Sequence, residues 1–90
     1  MPRITLRLFG LGKGDASKET LTRTIEPGTT VAGLWESLRR QARPGEKLTV
    51  IDARGLLALV NGRPLRTLEE WDTEVVDGDT VVYMPKAFGG

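Results

Sequence analysis

Apolar and polar residues alternate at the start of the chain. In "RITLRLF", Ile4, Leu6 and Leu8 fall on one side, and arginines and a threonine fall on the other. A period of two residues is typical of a strand with one buried face. The alternation returns in "ETLTRTI" after a glycine-rich stretch, and it stops at Pro27-Gly28. These patterns predict two strands that form an antiparallel hairpin.

A helical period follows the hairpin, in "TTVAGLWESLRRQARPG". Its apolar residues recur at the spacing of one helix face, and they are Val31, Leu34, Trp35 and Leu38. Thr29 or Thr30 is expected to cap the first turn, and Pro44-Gly45 to stop the helix. Trp35 is expected in the core because it belongs to the apolar stripe.

The second half of the chain returns to strand-like segments. It contains "KLTVID", then "GLLALV" running into the tight-turn signal Asn61-Gly62, so one or two strands are expected here. A polar segment follows, in which Trp71 is expected to pack against the core. Asp77-Gly78-Asp79 turns the chain into a last strand, Thr80 to Met84. The order predicts an α+β fold, with a mixed sheet of four to five strands packed on one main helix.

Composition narrows the possible functions. The chain has 90 residues and a net charge of +1, with its cations scattered, which argues for one domain and against a nucleic-acid surface. It has no cysteine and no histidine, so the commonest nucleophile, general base and metal ligand are missing. Its acidic residues show no spacing typical of a metal site; those considered are Asp52, Glu69, Glu70 and Asp72. We therefore expect no enzyme activity, no bound cofactor or metal, no membrane partner, and a cytoplasmic location.

The chain ends with "MPKAFGG", in which Pro85 to Gly90 follow the last predicted strand. Glycines have no Cβ, so they let a backbone enter a narrow channel. Fully extended, this segment reaches roughly 20 Å at about 3.3 Å per residue. Pro85 fixes its own φ and starts the segment extended. The sequence thus predicts a folded domain over residues 1–84 and a flexible Gly-Gly tail over residues 85–90.

Four stretches carry a resemblance to a known family: "ITLRLFG", "TTVAGLWESL", "LALVNGRPL" and "DGDTVVYMPKAFGG". Their order resembles the ubiquitin-like β-grasp fold, and in particular its sulfur carriers, the family of the molybdopterin synthase small subunit and the thiamin sulfur carrier. The resemblance implies a β-grasp domain that acts as a protein cosubstrate.

The resemblance also implies a chemistry at the chain end. An ATP-dependent adenylyltransferase of the ubiquitin-activating type would adenylate the carboxylate of Gly90, and sulfide would convert it to a thiocarboxylate. The tail, with Pro85, Lys86, Ala87, Phe88 and Gly89, would thread into the partner proteins. The acceptor would be a synthase subunit in molybdenum or tungsten cofactor synthesis. The alternatives are thiamin thiazole formation, another sulfur-transfer pathway, a ubiquitin-like covalent modifier or a plain binding module.

Two positions depart from the pattern of the family. Lys86 stands where the molybdopterin branch has a second proline, and the bulky Phe88 precedes Gly89. An aromatic ring beside the reactive end predicts an apolar recess in the partner's channel.

Three apolar residues are candidates for a partner-binding surface. Phe9 alternates away from the buried residues of the first strand, so it either anchors a partner or closes the end of the core. In "LLALV", Leu57 and Leu59 share one strand face, and Ala58 and Val60 share the other. One of these pairs is expected in the core, and the other in an apolar patch for recognition. Our candidate patch is Phe9, Leu57 and Leu59.

Overall fold

A computed structural model describes residues 1–12 and 18–86, and it forms a single sheet with one principal helix. The strands are β1 (Arg3–Phe9), β2 (Lys18–Thr24), β3 (Leu56–Val60), β4 (Arg63–Pro64) and β5 (Thr80–Pro85), and the helices are α1 (Val31–Gln41) and α2 (Leu68–Trp71). Two short 3-10 turns, Lys47–Thr49 and Ala53–Gly55, lie between α1 and β3. The predicted α+β arrangement is confirmed.

The five strands are ordered β2-β1-β5-β3-β4 across the sheet. β1 and β2 form the predicted antiparallel hairpin, with Leu6 opposite Leu21. β1 and β5 run parallel in the middle, and β3 pairs antiparallel with both β5 and β4. The sheet is therefore mixed, as the sequence predicts.

Helix α1 packs the predicted stripe against one face of this sheet. Val31, Leu34, Trp35 and Leu38 are all buried. Thr30, the better of the two cap candidates, accepts a hydrogen bond from the Gly33 amide at 3.0 Å. The helix ends at Gln41, before Pro44-Gly45.

The segment "KLTVID" is a 3-10 turn followed by irregular chain, and it is not a strand. Its apolar residues face different ways: Leu48 is buried, Ile51 is half-buried and Val50 is 81% exposed. The amide of Leu48 donates to the carbonyl of Leu11 at 3.0 Å, which holds the turn over the end of the core. Contacts with the chain after β1 therefore determine this conformation.

Three aromatic side chains stack within the core. The ring of Tyr83 lies 5.1 Å from that of Trp35 and 6.1 Å from that of Trp71, centroid to centroid. Both tryptophans are buried, as expected. The Tyr83 hydroxyl donates to the carbonyl of Val31 at 2.7 Å, and burial raises the pKa of Tyr83 far above its usual value. The cluster joins β5 to α1 and α2.

Neither α1, with 11 residues, nor α2, with 4, has the length that a helix needs to cross a bilayer, and no other described helix does.

Candidate functional site

The root of the tail is hydrogen-bonded to the sheet. Pro85 is the last residue of β5, and it pairs with Leu56 of β3. The amide of Lys86 then donates to the carbonyl of Gly55 at 2.9 Å. Ala87, Phe88, Gly89 and Gly90 lie outside the described residues. Within the described part, β-type hydrogen bonding thus continues two residues beyond Met84, and the role of these residues in threading stays a prediction.

The bond from Lys86 gives a physical reason for one departure from the family pattern. A proline at this position has no amide hydrogen and cannot donate to Gly55. Lys86 therefore extends the backbone pairing by one residue, to Gly55 directly before β3, and a proline at this position could not do so.

The outer face of the sheet, turned away from α1, carries an apolar strip. On β3, Leu56 and Ala58 are buried, and Leu57 and Leu59 are half-buried on the opposite side. Leu57 lies beside Met84, and Leu59 beside Val82. Of the two pairs left open by the sequence, the Leu57 and Leu59 pair therefore faces outward. Met84 and Val82 extend the strip and were missed in the sequence.

Phe9 belongs to the same outer face. It is half-buried, lies outside the set of buried core residues, and follows Leu8, which aligns with Tyr83 of β5. The guanidinium carbon of Arg7 lies 5.1 Å from the centre of the Phe9 ring, within the range of a cation–π contact. Phe9 therefore contributes aromatic surface at one end of the strip.

The charged residues at the described strand positions of the outer face all carry a positive charge. By alternation along the strands, Arg3, Arg7 and Lys18 point to this side, and no described strand position on this side is an aspartate or glutamate. The face thus combines apolar residues from β3 and β5 with cations from β1 and β2. It suits a partner surface that is apolar in its centre and acidic at its rim.

A buried carboxylate directly before β5 stabilises the turns next to this strand. Asp79, directly before β5, is buried; its Oδ1 accepts from the side-chain amide of Asn61, and its Oδ2 from the amide of Val76, both at 2.9 Å. Asn61 adopts φ 52°, the left-handed region that its turn requires. Both carboxylate oxygens are satisfied, so Asp79 connects the β3–β4 turn to β5 and is structural.

Of the four acidic residues considered for a metal site, Asp52 directly precedes the Ala53–Gly55 turn, Glu69 and Glu70 lie within α2, and Asp72 caps its C-terminal end. Asp52 accepts from the amide of Arg54 at 2.9 Å, and Glu70 accepts from the amide of Arg66 at 3.0 Å. Over residues 1–12 and 18–86, no group of three or more potential metal ligands is close enough to hold an ion.

Comparison with known proteins identifies the family to which this chain belongs. The model of the ThiS family matches residues 15–90, which is most of the chain. The chain belongs to the ThiS family. This ThiS-family protein is thus a member of the ubiquitin-like sulfur carriers, as the resemblance implied.

Solved structures agree with this assignment at the level of the fold. The HVO 2177 protein from Haloferax volcanii is 22% identical, with a TM-score of 0.67, over 99% of this chain and 87% of that one. SAMP1 from the same organism is 18% identical, with a TM-score of 0.64, over 98% and 99%. A putative molybdopterin converting factor, subunit 1, from Pyrococcus furiosus is 23% identical, with a TM-score of 0.64, over 97% and 100%.

No curated protein matches the sequence. The structural matches nevertheless span whole chains of similar size, so the ThiS-family protein has the β-grasp fold.

Proposed function

We propose that this protein carries sulfur as a thiocarboxylate on Gly90. The carboxylate of Gly90 attacks the α-phosphate of ATP in an activating enzyme, which releases pyrophosphate and leaves an acyl-adenylate. The terminal sulfur of a persulfide donor then attacks the acyl carbon and expels AMP, which leaves an acyl disulfide between the protein and the donor. A thiol reductant cleaves the S–S bond, which releases the thiocarboxylate and returns the donor as a thiol while the reductant is oxidised to a disulfide. The observation that carries this proposal is the ThiS-family match, which extends through the Gly89-Gly90 end.

The fold supports separate roles for the tail and for the outer face of the sheet. In this proposal the adenylyltransferase and the sulfur acceptor recognise the strip around Phe9, Leu57 and Leu59. The tail, Pro85 to Gly89, brings the reactive carboxylate into their active sites. The protein then acts as a cosubstrate, and ATP is bound by the activating enzyme.

Molybdenum or tungsten cofactor synthesis is the proposed pathway. It is supported by the likeness to the putative molybdopterin converting factor subunit from Pyrococcus furiosus. Thiamin thiazole formation or another sulfur-transfer pathway is the runner-up, and it is supported by the family match itself. A larger synthase subunit would accept the sulfur in the first case.

Intact mass spectrometry tests the chemistry. The protein is incubated with ATP, a persulfide donor, a thiol reductant and its activating enzyme, and thiocarboxylation adds about 16 Da because sulfur replaces one oxygen. A variant with one alanine added after Gly90 is the control, because it moves the carboxylate off the glycine. Unchanged mass of the native chain with a competent enzyme, or equal conversion of the extended variant, contradicts the proposal.

An extension of this experiment and a deletion variant separate the two other classes of function. Addition of a cell extract containing candidate acceptors would give larger, lysine-linked adducts for a covalent modifier, formed through an isopeptide bond to Gly90. A plain binding module would keep its partners after deletion of Gly89 and Gly90, whereas a sulfur carrier would lose its activity.

A further inference from the structure

Strand β2 lies at an open edge of the sheet. The described strands leave two edges, β2 on one side and β4 on the other. β4 is two residues long and contains Pro64, so it offers little backbone for pairing. β2 has seven residues and no proline, and no described strand pairs with its outer side.

The register of the sheet identifies which backbone groups of β2 face outward. The amide of Ile25 donates to the carbonyl of Pro2, and the amide of Thr5 donates toward β5, to the carbonyl of Asp79, both at 2.9 Å. In an antiparallel pair, the direction of bonding alternates from residue to residue. The backbone amides and carbonyls of Thr20 and Thr22 therefore point away from β1, along the free edge.

The sequence of β2 is complementary to itself. "KETLTRT" has Leu21 at its centre, Thr20 and Thr22 on either side, and then Glu19 and Arg23, which carry opposite charges. In an antiparallel pairing with a second copy in full register, Leu21 lies opposite Leu21 of the second copy, and Thr20 of each copy lies opposite Thr22 of the other. Each Glu19 meets the Arg23 of the second copy, which gives two ion pairs.

Side-chain geometry favours this register. Since Thr20 and Thr22 supply the outward hydrogen bonds, Glu19, Leu21 and Arg23 fall at the non-hydrogen-bonded positions, where opposite side chains are closest. Leu21 is half-buried against the core, and its remaining surface would be covered by the other Leu21. Arg23 donates from Nη1 to Oε1 of Gln41 at 2.9 Å, which places its guanidinium on the helix side of the edge, with further donors available.

We propose that β2 is a homodimer interface, in which two copies pair edge to edge about Leu21 into one continuous sheet. The two copies of β5 then run in opposite directions, so the two tails leave from opposite ends of the dimer. The outer faces and tails stay accessible, and one dimer can engage two partners. A seven-residue edge is about 23 Å long at about 3.3 Å per residue, which corresponds to a weak, reversible association.

Charge reversal gives a sharp test by sedimentation velocity over about a hundredfold range of concentration. We expect the native chain to shift from monomer toward dimer. Glu19→Arg alone and Arg23→Glu alone each place like charges in contact, and should weaken the dimer at least about tenfold. An equimolar mixture of the two variants restores both ion pairs, so it should form a heterodimer.

A proline variant tests the backbone contact. Thr22→Pro removes an outward amide, and a proline is tolerated on an edge strand where the amide faces solvent. We expect a folded monomer by near-ultraviolet circular dichroism, whereas Thr22→Val should keep the dimer. Glu69→Arg and Arg66→Glu, exposed near the opposite edge, are the charge controls.

Three results would overturn the inference. They are a native chain that stays monomeric at the highest concentration, a dimer insensitive to both charge reversals, and variants that do not rescue each other when mixed. The result is independent of sulfur transfer, so it bears on the edge of β2 alone.

Discussion

At the residue scale, Tyr83 is a central side chain of the hydrophobic core. It is fully buried between two tryptophans, and its hydroxyl donates to the carbonyl of Val31 in the first turn of α1. The phenol is stable there only in its neutral form, because burial penalises the phenolate. It is also the single tyrosine of the chain, so its ionisation can be followed without interference from others.

This predicts a loss of stability in alkali. The pKa of Tyr83 is raised in the folded state, so above about pH 10 the unfolded chain releases a proton that the folded chain retains. The free energy of unfolding from this group should be constant below about pH 10 and should fall above it. Urea titrations at about pH 8 and about pH 11 measure the effect, with tyrosinate absorbance as a second readout.

Tyr83→Phe is the matched variant. It should cost about 1 kcal/mol at neutral pH through the lost hydrogen bond, and it should remove this alkaline decline. Equal declines in the native chain and the variant would show that Tyr83 is not the titrating group.

At the element scale, the start of α1 is held by several contacts at once. Thr30 caps the helix, and it also forms an isolated antiparallel bridge with Glu74. The amide of Val31 donates to Thr73, and the amide of Val75 donates to Thr29. A Cβ on Gly33 would lie 3.3 Å from the Thr30 hydroxyl oxygen, so the glycine leaves room for the cap.

We predict that Thr30→Ala lowers the free energy of unfolding by about 1 kcal/mol, because the Gly33 amide loses its acceptor. Thr30→Ser keeps a hydroxyl and should stay close to the native value. Denaturant unfolding followed by tryptophan fluorescence compares the three proteins. Similar losses in both variants would mean that the hydroxyl is not what stabilises the helix start.

At the scale of the whole molecule, the two faces of the sheet have different roles. The inner face is closed by α1, and the outer face leaves an apolar strip and the cations of β1 and β2 exposed to partners. A net charge of only +1 hides this distribution, because no aspartate or glutamate occupies a described strand position on the outer face. Charge complementarity of this kind acts mainly on the rate of association.

Accordingly, Arg7→Glu on the outer face should slow association with the activating enzyme by about tenfold at low salt, and the slowing should diminish as salt is added. Arg40→Glu, which is exposed on α1, makes the same charge change on the other side of the molecule and should have a small effect. Stopped-flow binding at several salt concentrations makes the comparison. Equal effects of the two substitutions would contradict a partner site on the outer face.

Much of the fold and part of the candidate site could be predicted from local patterns. The alternation in β1 and β2, the stripe of α1 and the Asn61-Gly62 turn are short-range signals, so the sequence by itself determined these elements. It also gave Phe9, Leu57 and Leu59 as candidates for a partner surface, since alternation assigns each residue to one of two faces without saying which face is buried. The proposal of sulfur chemistry at Gly89-Gly90 likewise came from the sequence, and these two glycines lie outside the described residues.

Only the tertiary structure decided which face of the sheet is buried under α1 and which faces outward. The sequence left open whether Leu57 and Leu59 or their neighbours were in the core, and pairing with β5 and packing under α1 resolved it. The 3-10 turn at Lys47, the buried Asp79 and the joining of Val82 and Met84 to the strip depend on partners distant in the chain. The collection of Arg3, Arg7 and Lys18 on one face has the same origin, because strand order and register are set by long-range contacts that no local period encodes.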